Sequence, residues 1–321
     1  MLKTPEYYKN IIENEPSNSE AKLFLGLSLL RDKQYKLGWE YFEHRLDGLN
    51  SLFPDFFPLW QGENISNKTI LVYAERGFGD TIMFSRFLPL LTKRCQKVLF
   101  MPQEELCGIF NESELSVKFV KKSMDEFFHV HTSLMSLPYK LKLEKESDIP
   151  PVNKNYFSID KIKSKDYKDK YFANNSLKIG INWQGTMKPT PIRSIPLEFF
   201  NKILTVPNST LYSLQTGCTE EQKKILEQNN IVNLGTTFFD FSDTIAAMAN
   251  LDIIISNDTS VANLAGAIEK KCFILLPYQS DWRWGDDISS CIWYSTVQLL
   301  RQSRPHDWSG VFDELLNILM P

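Results

Sequence analysis

ILVYAERGFGDT, residues 70–81, decides the first half of this chain. An apolar run rich in strand-forming residues ends at Ala74, glycines interrupt it at 77 and 79, and the helical pattern DTIMFSRFLPLLTKRC follows. A strand that turns through glycine into a helix opens a βαβ unit. Further strands are expected at Val98 to Met101 and Val117 to Val120, with the helical QEELCGIF between them, so the sheet should be parallel. Pro89 should kink or end the first helix.

A second series of the same texture runs from residue 177 to 321. Strands are expected at Lys178 to Trp183, Thr210 to Leu214, Ile253 to Ser256 and Cys272 to Leu276. PLEFFNKIL, TEEQKKILEQNN, DFSDTIAAMANL and SVANLAGAIE read as helices between and after them, and WSGVFDELLNILM as an amphipathic final helix. Residues 144–176, rich in Lys, Asp and Asn and carrying Pro150-Pro151, lack an apolar period. The connection between the two halves is therefore expected at 151–176, with part of it folding locally. Two Rossmann-like domains, 51–150 and 177–321, would face each other across a cleft at the carboxyl ends of their strands.

Residues 1–50 are different. Leu23, Leu27 and Leu30, then Tyr35, Trp39, Phe42 and Leu46, recur at helical spacing on either side of a turn at RDKQ. Gly26 and Gly38 would let the two helices touch, an arrangement that resembles one tetratricopeptide repeat. A single repeat cannot bury its own apolar face, so it should lean on the next domain or be the remnant of an array.

Composition narrows the function. The chain has 321 residues and a net charge of −3, which argues against a nucleic-acid binder working through a broad basic surface. Its five cysteines form no C-x-x-C pair, so no zinc knuckle or disulfide framework is indicated. Nothing approaches 18 uninterrupted apolar residues and the start lacks an apolar signal core, which makes the cytoplasm the default location. His129-x-His131, without a nearby acid or thiolate, reads as structural.

Four motifs carry chemistry. In the glycine turn, Ile82 stands where a dinucleotide fingerprint needs its third glycine, and no acid closes a second strand, so NAD is disfavoured. The glycines would permit positive φ. Asp80 is then a general base for an acceptor hydroxyl or merely the helix N-cap. The second motif is SNDTSVANLAGA, residues 256–267, where amides near Thr259 to Val261 would make an anion site for a diphosphate, with Asp258 capping or meeting sugar hydroxyls. A capped, tightly packed helix is the plain alternative. The third is Trp183-Gln184-Gly185-Thr186 followed by Arg193, whose guanidinium could grip phosphate. The fourth is Asp281-Trp282-Arg283-Trp284, dense in aromatics, either an acceptor or sugar pocket or a surface loop pinned by its tryptophans.

Ten segments stand in one order. They are WQG (60–62), ERGFGDT with RFLP (75–89), NWQG with RSIPL (182–197), SLQ (213–215), DFSDT (240–244), NDTSVANLAGA (257–267), LLP (275–277), DWRW (281–284), WY (293–294) and RQ (301–302). The series resembles bacterial tetratricopeptide-repeat proteins with a domain similar to the ADP-heptose heptosyltransferases of glycosyltransferase family 9. The resemblance implies a GT-B fold and an inverting, metal-independent transfer from a nucleotide-sugar to a glycan or protein hydroxyl. The nucleotide-sugar is a substrate, and no cofactor is implied.

By the same resemblance Asp80 falls on the base, with Gly79, Trp282 and Trp284 toward the acceptor or sugar. Arg193, Thr186, Asp258, Thr259, Ser260, Val261 and Asn263 fall on the donor. Asn263 replaces the family's usual histidine, so any imidazole contribution to phosphate binding is gone. The last helix is expected to cross back onto the N-terminal domain. No transmembrane segment is expected, and peripheral membrane association stays open. A degenerate, non-catalytic scaffold that binds a protein partner is the alternative.

Overall fold

In the computed structural model, residues 2–48, 53, 57–110, 115–123, 125–152, 157–185, 193–286 and 291–320 are described. Strands β1 (Ile65–Tyr73), β2 (Cys95–Met101), β3 (Lys118–Phe119) and β4 (Val130–Ser133) form a parallel sheet in the order β3-β2-β1-β4. Strands β5 (Leu177–Asn182), β6 (Ser209–Ser213), β7 (Val232–Asn233), β8 (Ile253–Asn257), β9 (Cys272–Leu276) and β10 (Val297–Arg301) form a second parallel sheet, β10-β9-β8-β5-β6-β7. Every residue of β8 and β9 is buried, as parallel strands covered on both faces require. Both sheets are parallel, as the sequence calls for, but β4, β7 and β10 are not among the strands expected. Strands β7 and β10 escape the sequence reading because β7 has two residues and β10 carries Gln298 and Arg301 among its apolar positions.

The chain divides into two units, each with its own sheet, but not at one point. Unit 1 holds residues 1–104, 115–151 and 281–287; unit 2 holds 105–114, 152–280 and 288–321. The sequence expects uninterrupted domains, whereas these units interleave along the chain. In unit 1, Trp282 packs edge-on to Trp39 with ring centroids 5.7 Å apart, which is what holds 281–287 there. In unit 2, Phe110 packs on Phe157.

The connection at 151–176 is also corrected, since it counts with unit 2. Helix Lys161–Tyr171, N-capped by Asp160, is fastened where Lys163 Nζ donates to Asp243 Oδ1 at 2.9 Å and Asn250 Nδ2 donates to the Ser164 carbonyl at 2.9 Å. The final helix, Trp308–Leu319, counts with unit 2. Trp308, Val311, Phe312 and Leu315 complete unit 2's own core, where Phe312 meets Phe200 at 5.1 Å. Residues 197–204, expected as a helix, wind as a 3-10 segment, Leu197–Thr205. Pro89 marks a real break: helix Phe78–Phe84 gives way to 3-10 turns at Ser85–Phe87 before Leu88–Leu91 resumes.

The N-terminal segment is helical at Pro5–Asn14, Ser19–Arg31 and Tyr35–Phe42, and it counts with unit 1. The last two helices pack backbone to backbone. A side-chain carbon on Gly26 would stand 2.6 Å from the Phe42 amide nitrogen and 2.8 Å from the Tyr41 carbonyl carbon. Gly26→Ala should therefore push the helices apart and destabilise unit 1 by about 1–3 kcal/mol, measurable by urea unfolding.

His131 lies in β4 among aromatic rings, 4.6 Å from Phe53 and 5.8 Å from Tyr73, with its Nδ1 buried and without a hydrogen bond. Burial pushes its pKa below the usual histidine value. Below about pH 6.5 the unfolded chain then binds a proton that the folded chain resists, so stability falls as pH drops through that value. His131→Phe should flatten this acid slope in unfolding titrations.

Candidate active site

Asp80 is the third residue of helix Phe78–Phe84, and the N-cap is Gly77. Asp80 is thus not the capping residue, although the helix N-terminus favours an anion there. Its Oδ1 accepts a hydrogen bond from Arg283 Nη2. Arg283 Nη1 also donates to Asp281 Oδ1 at 2.6 Å, and its guanidinium lies 4.7 Å from the Trp282 ring centre. The side chains of Asp80 and Arg283 keep 20% and 13% of their exposure, so the pair is only partly screened by solvent.

Gly77 does not use the positive φ that glycine permits: its φ is −68°. A side-chain carbon there would meet nothing closer than Asp80 Oδ2 at 3.7 Å, so the absent side chain leaves open space beside that oxygen. Gly79 is the second residue of the helix, half-buried.

The turn before Asp80 is held from behind. Arg45, its side chain fully buried, donates to Glu75 Oε1 at 2.7 Å, to Glu43 Oε1 at 2.6 Å and to Ser136 Oγ at 2.8 Å. Burial opposes its charge, but Glu75 and Glu43 outweigh that and hold the guanidinium above its usual pKa. Ser133, at the end of β4, donates to Glu75 as well, and Gln103 Nε2 donates to the Arg76 carbonyl at 2.6 Å. Two elements far apart in sequence, the helical pair and the end of β4, therefore fix the glycine turn.

Trp282 and Trp284 are 5% and 3% exposed. The sequence reading sets both toward an acceptor or sugar pocket; here Trp282 packs on Trp39 and Phe42, and the polar group this loop carries to Asp80 is Arg283.

In unit 2 the polar residues gather at the carboxyl ends of β5 and β8. Asn182 Nδ2 donates to Asn257 Oδ1 at 3.0 Å and to Thr259 Oγ1 at 3.2 Å, with both asparagines buried. Asn257 Nδ2 donates to the Arg193 carbonyl at 2.9 Å. Arg193 Nη1 in turn donates to the Asp258 carbonyl at 3.2 Å and lies 3.4 Å from Asp258 Oδ2.

Helix Ser260–Ala267 starts here with Thr259, not Asp258, as its N-cap. The carboxylate of Asp258 pairs with Arg193 instead. Ser260 is half-buried and Val261 buried, so what these residues can offer a ligand is their backbone amides, which have no intrahelical acceptor. Thr186 lies outside the described residues, but its loop is tied at its start, where Gln215 Oε1 accepts from the Gln184 amide at 3.0 Å.

Asn263 is engaged on both ends of its amide. Nδ2 donates to the Thr259 carbonyl at 3.0 Å, and Oδ1 accepts from the Tyr294 hydroxyl at 3.0 Å. The Tyr294 ring lies over Gly266, where a side-chain carbon would come within 2.3 Å of it. Asn263 thus ties the helix to the segment before β10.

Among solved structures, the chain resembles the glycosyl transferase family 9 protein of Veillonella parvula with a TM-score of 0.59. The match has 13% identity and covers 76% of this chain and 88% of that one. It also resembles the ADP-heptose lipopolysaccharide heptosyltransferase II of E. coli with a TM-score of 0.58, 12% identity, and coverage of 78% of this chain and 98% of that one. The chain folds like the family 9 glycosyltransferases. Its mixed α/β build with parallel sheets is that of GT-B glycosyltransferase structures. Among curated proteins it is 22% identical over 297 residues to Protein FlbA of Caulobacter vibrioides, covering 81% of this chain. The chain spans 48% of the length of that relative. No family model matches the chain.

The sequence singles out Asp80, Arg193, Asp258 and Thr259; the structure adds Asn182, Asn257, Gln215 and Arg283 to their surroundings. The first three stand in quoted motifs (NWQG, SLQ and NDTS), yet their side chains work by holding neighbouring loops, which spacing alone does not reveal. Arg283 was visible only as one charge beside two tryptophans. Among the described residues, no group of three or more His, Cys, Asp or Glu side chains is placed to hold a metal ion. No described helix is long and apolar enough to cross a membrane.

Proposed function

We propose that this chain is an inverting glycosyltransferase that moves a sugar from a nucleotide-sugar to a hydroxyl of a glycan or protein. The observation that carries the reading is in unit 2. A buried asparagine pair holds Arg193 beside Asp258 and the N-terminus of helix Ser260–Ala267, combining a fixed cation with helix amides. Such a pairing suits a diphosphate. The bond between the sugar's anomeric carbon and the diphosphate oxygen breaks, and the electron pair leaves on the diphosphate. Arg193 and the helix amides offset that charge. The acceptor oxygen bonds to the anomeric carbon from the opposite side, and its proton goes to Asp80, whose Oδ2 borders the space left by Gly77. The helical pair is read as a tetratricopeptide-type unit; its Trp39, and Arg45 in the 3-10 turn that follows it, support the turn before Asp80 and the Trp282 loop within unit 1.

Binding is tested by thermal shift against UDP, GDP, ADP, CMP and dTDP. One of them, at 100 times its dissociation constant, should add about 2.7 kcal/mol of stability. Turnover is followed as release of nucleoside diphosphate from ADP-heptose, ADP-glucose, UDP-glucose and GDP-mannose, and it should persist in EDTA. The scaffold reading has one observation in its favour: the amide of Asn263 is spent on Thr259 and Tyr294. Binding of none of the nucleotides would favour it over the enzyme.

A further inference from the structure

We propose that Arg283 is the positioning residue of the Asp80 carboxylate, and that the N-terminal helical pair sets its place through Trp282. Three observations within unit 1 carry this. Arg283 holds a single oxygen, Asp80 Oδ1, rather than clamping both, while Oδ2 lies toward the open space at Gly77. The guanidinium is itself fixed twice, by Asp281 Oδ1 at 2.6 Å and over the Trp282 ring at 4.7 Å, so it cannot follow Asp80 freely. Trp282, finally, is lodged against Trp39 at 5.7 Å and Phe42 at 5.9 Å, both on helix Tyr35–Phe42.

The consequence is a chain of contacts running from the helical pair through Trp282 and Arg283 to Asp80. A second contact from the same pair runs from Arg45 to Glu75 in the turn that precedes Asp80. The helices would then serve as the template that aims one carboxylate oxygen. A carboxylate free to rotate offers its oxygens in many directions, and loss of alignment by about 1 Å can cost on the order of 100-fold in rate. The proposal rests on Asp80 acting as the base, but its first test does not.

That test is a double-mutant cycle on Asp80→Asn and Arg283→Met, read as hydrogen-exchange protection of the amides of Thr81 to Phe84 in the full chain. Direct coupling should make the two changes non-additive by about 5- to 30-fold. Additivity within about twofold would overturn the proposal. The second test uses ADP-heptose, or whichever of the four nucleotide-sugars the wild type turns over. Arg283→Met should lower kcat by about 10- to 100-fold with the donor KM changed less than twofold, and Arg283→Lys should recover much of the loss. Trp282→Phe should lower kcat in the same sense without touching Asp80. An Arg283→Met protein with full kcat, beside an inactive Asp80→Asn protein, would refute the positioning role. If the wild type turns over none of the four sugars, the enzyme reading fails and the exchange cycle alone decides whether Arg283 positions Asp80.

Discussion

Asp80→Asn should lower turnover by about 10²- to 10⁴-fold and leave nucleotide affinity nearly unchanged if Asp80 is the proposed base. The range is what removal of a general base costs when binding is intact. The amide is nearly isosteric, so the helix from Phe78 to Phe84 should persist, all the more because its cap is Gly77 and not the mutated side chain. The substitution also weakens the contact with Arg283, since a neutral oxygen accepts a weaker bond than a carboxylate. Steady-state kinetics with the donor varied, together with nucleotide titration, separate the two effects. Full activity would take Asp80 out of the mechanism, and an equal loss of affinity would mark a folding defect in unit 1.

Arg193→Ala should weaken nucleoside-diphosphate binding by about 10- to 150-fold and leave binding of the nucleoside alone nearly untouched. A hydrogen bond to a charged group contributes about 1.5–3 kcal/mol, and the base and ribose contacts do not depend on it. The structure adds a reason for the upper part of that range. Asp258, with 11% of its side chain exposed, loses the pairing with Arg193, and its negative charge should then add to the loss. Asp258→Asn in the Arg193→Ala background should therefore recover part of the lost affinity. Thr259→Pro should act like Arg193→Ala, because it removes a backbone amide at the helix start without changing charge. Calorimetric titration of each variant with nucleoside and nucleoside diphosphate measures all of these. Equal losses for both ligands would signal misfolding, and no loss for either would move the diphosphate elsewhere.

Much of the fold was legible because parallel strands are buried on both faces and so appear as continuous apolar runs. Cys272–Leu276 was read to the residue, and Ile253–Asn257 to within one. The close approach of the helical pair was equally plain, since Gly26 and Gly38 are spaced for it and a side-chain carbon at either meets the other helix within 3 Å. The ends of the units were not legible. Residues 281–287 follow a strand of unit 2 yet count with unit 1, because Trp282 finds its pocket on Trp39 and Phe42, some 240 positions away in sequence. Likewise the lysine-rich segment before β5 carries no apolar period, but Lys163 gains a partner in Asp243 that only folding brings near.

The sequence by itself determined two strand-and-helix series, the place of Asp80 after a glycine turn, and the place of Arg193 and the Ser260 helix, because periodicity and local turn chemistry are written in neighbouring residues. Tertiary structure alone decided what those side chains do. It paired Asp80 with Arg283 and Asp258 with Arg193, buried the two tryptophans, and closed the amide of Asn263 between Thr259 and Tyr294. An ion pair or a buried amide depends on which groups lie within about 3 Å, and across 60 to 200 residues that distance is set by packing, not by sequence spacing.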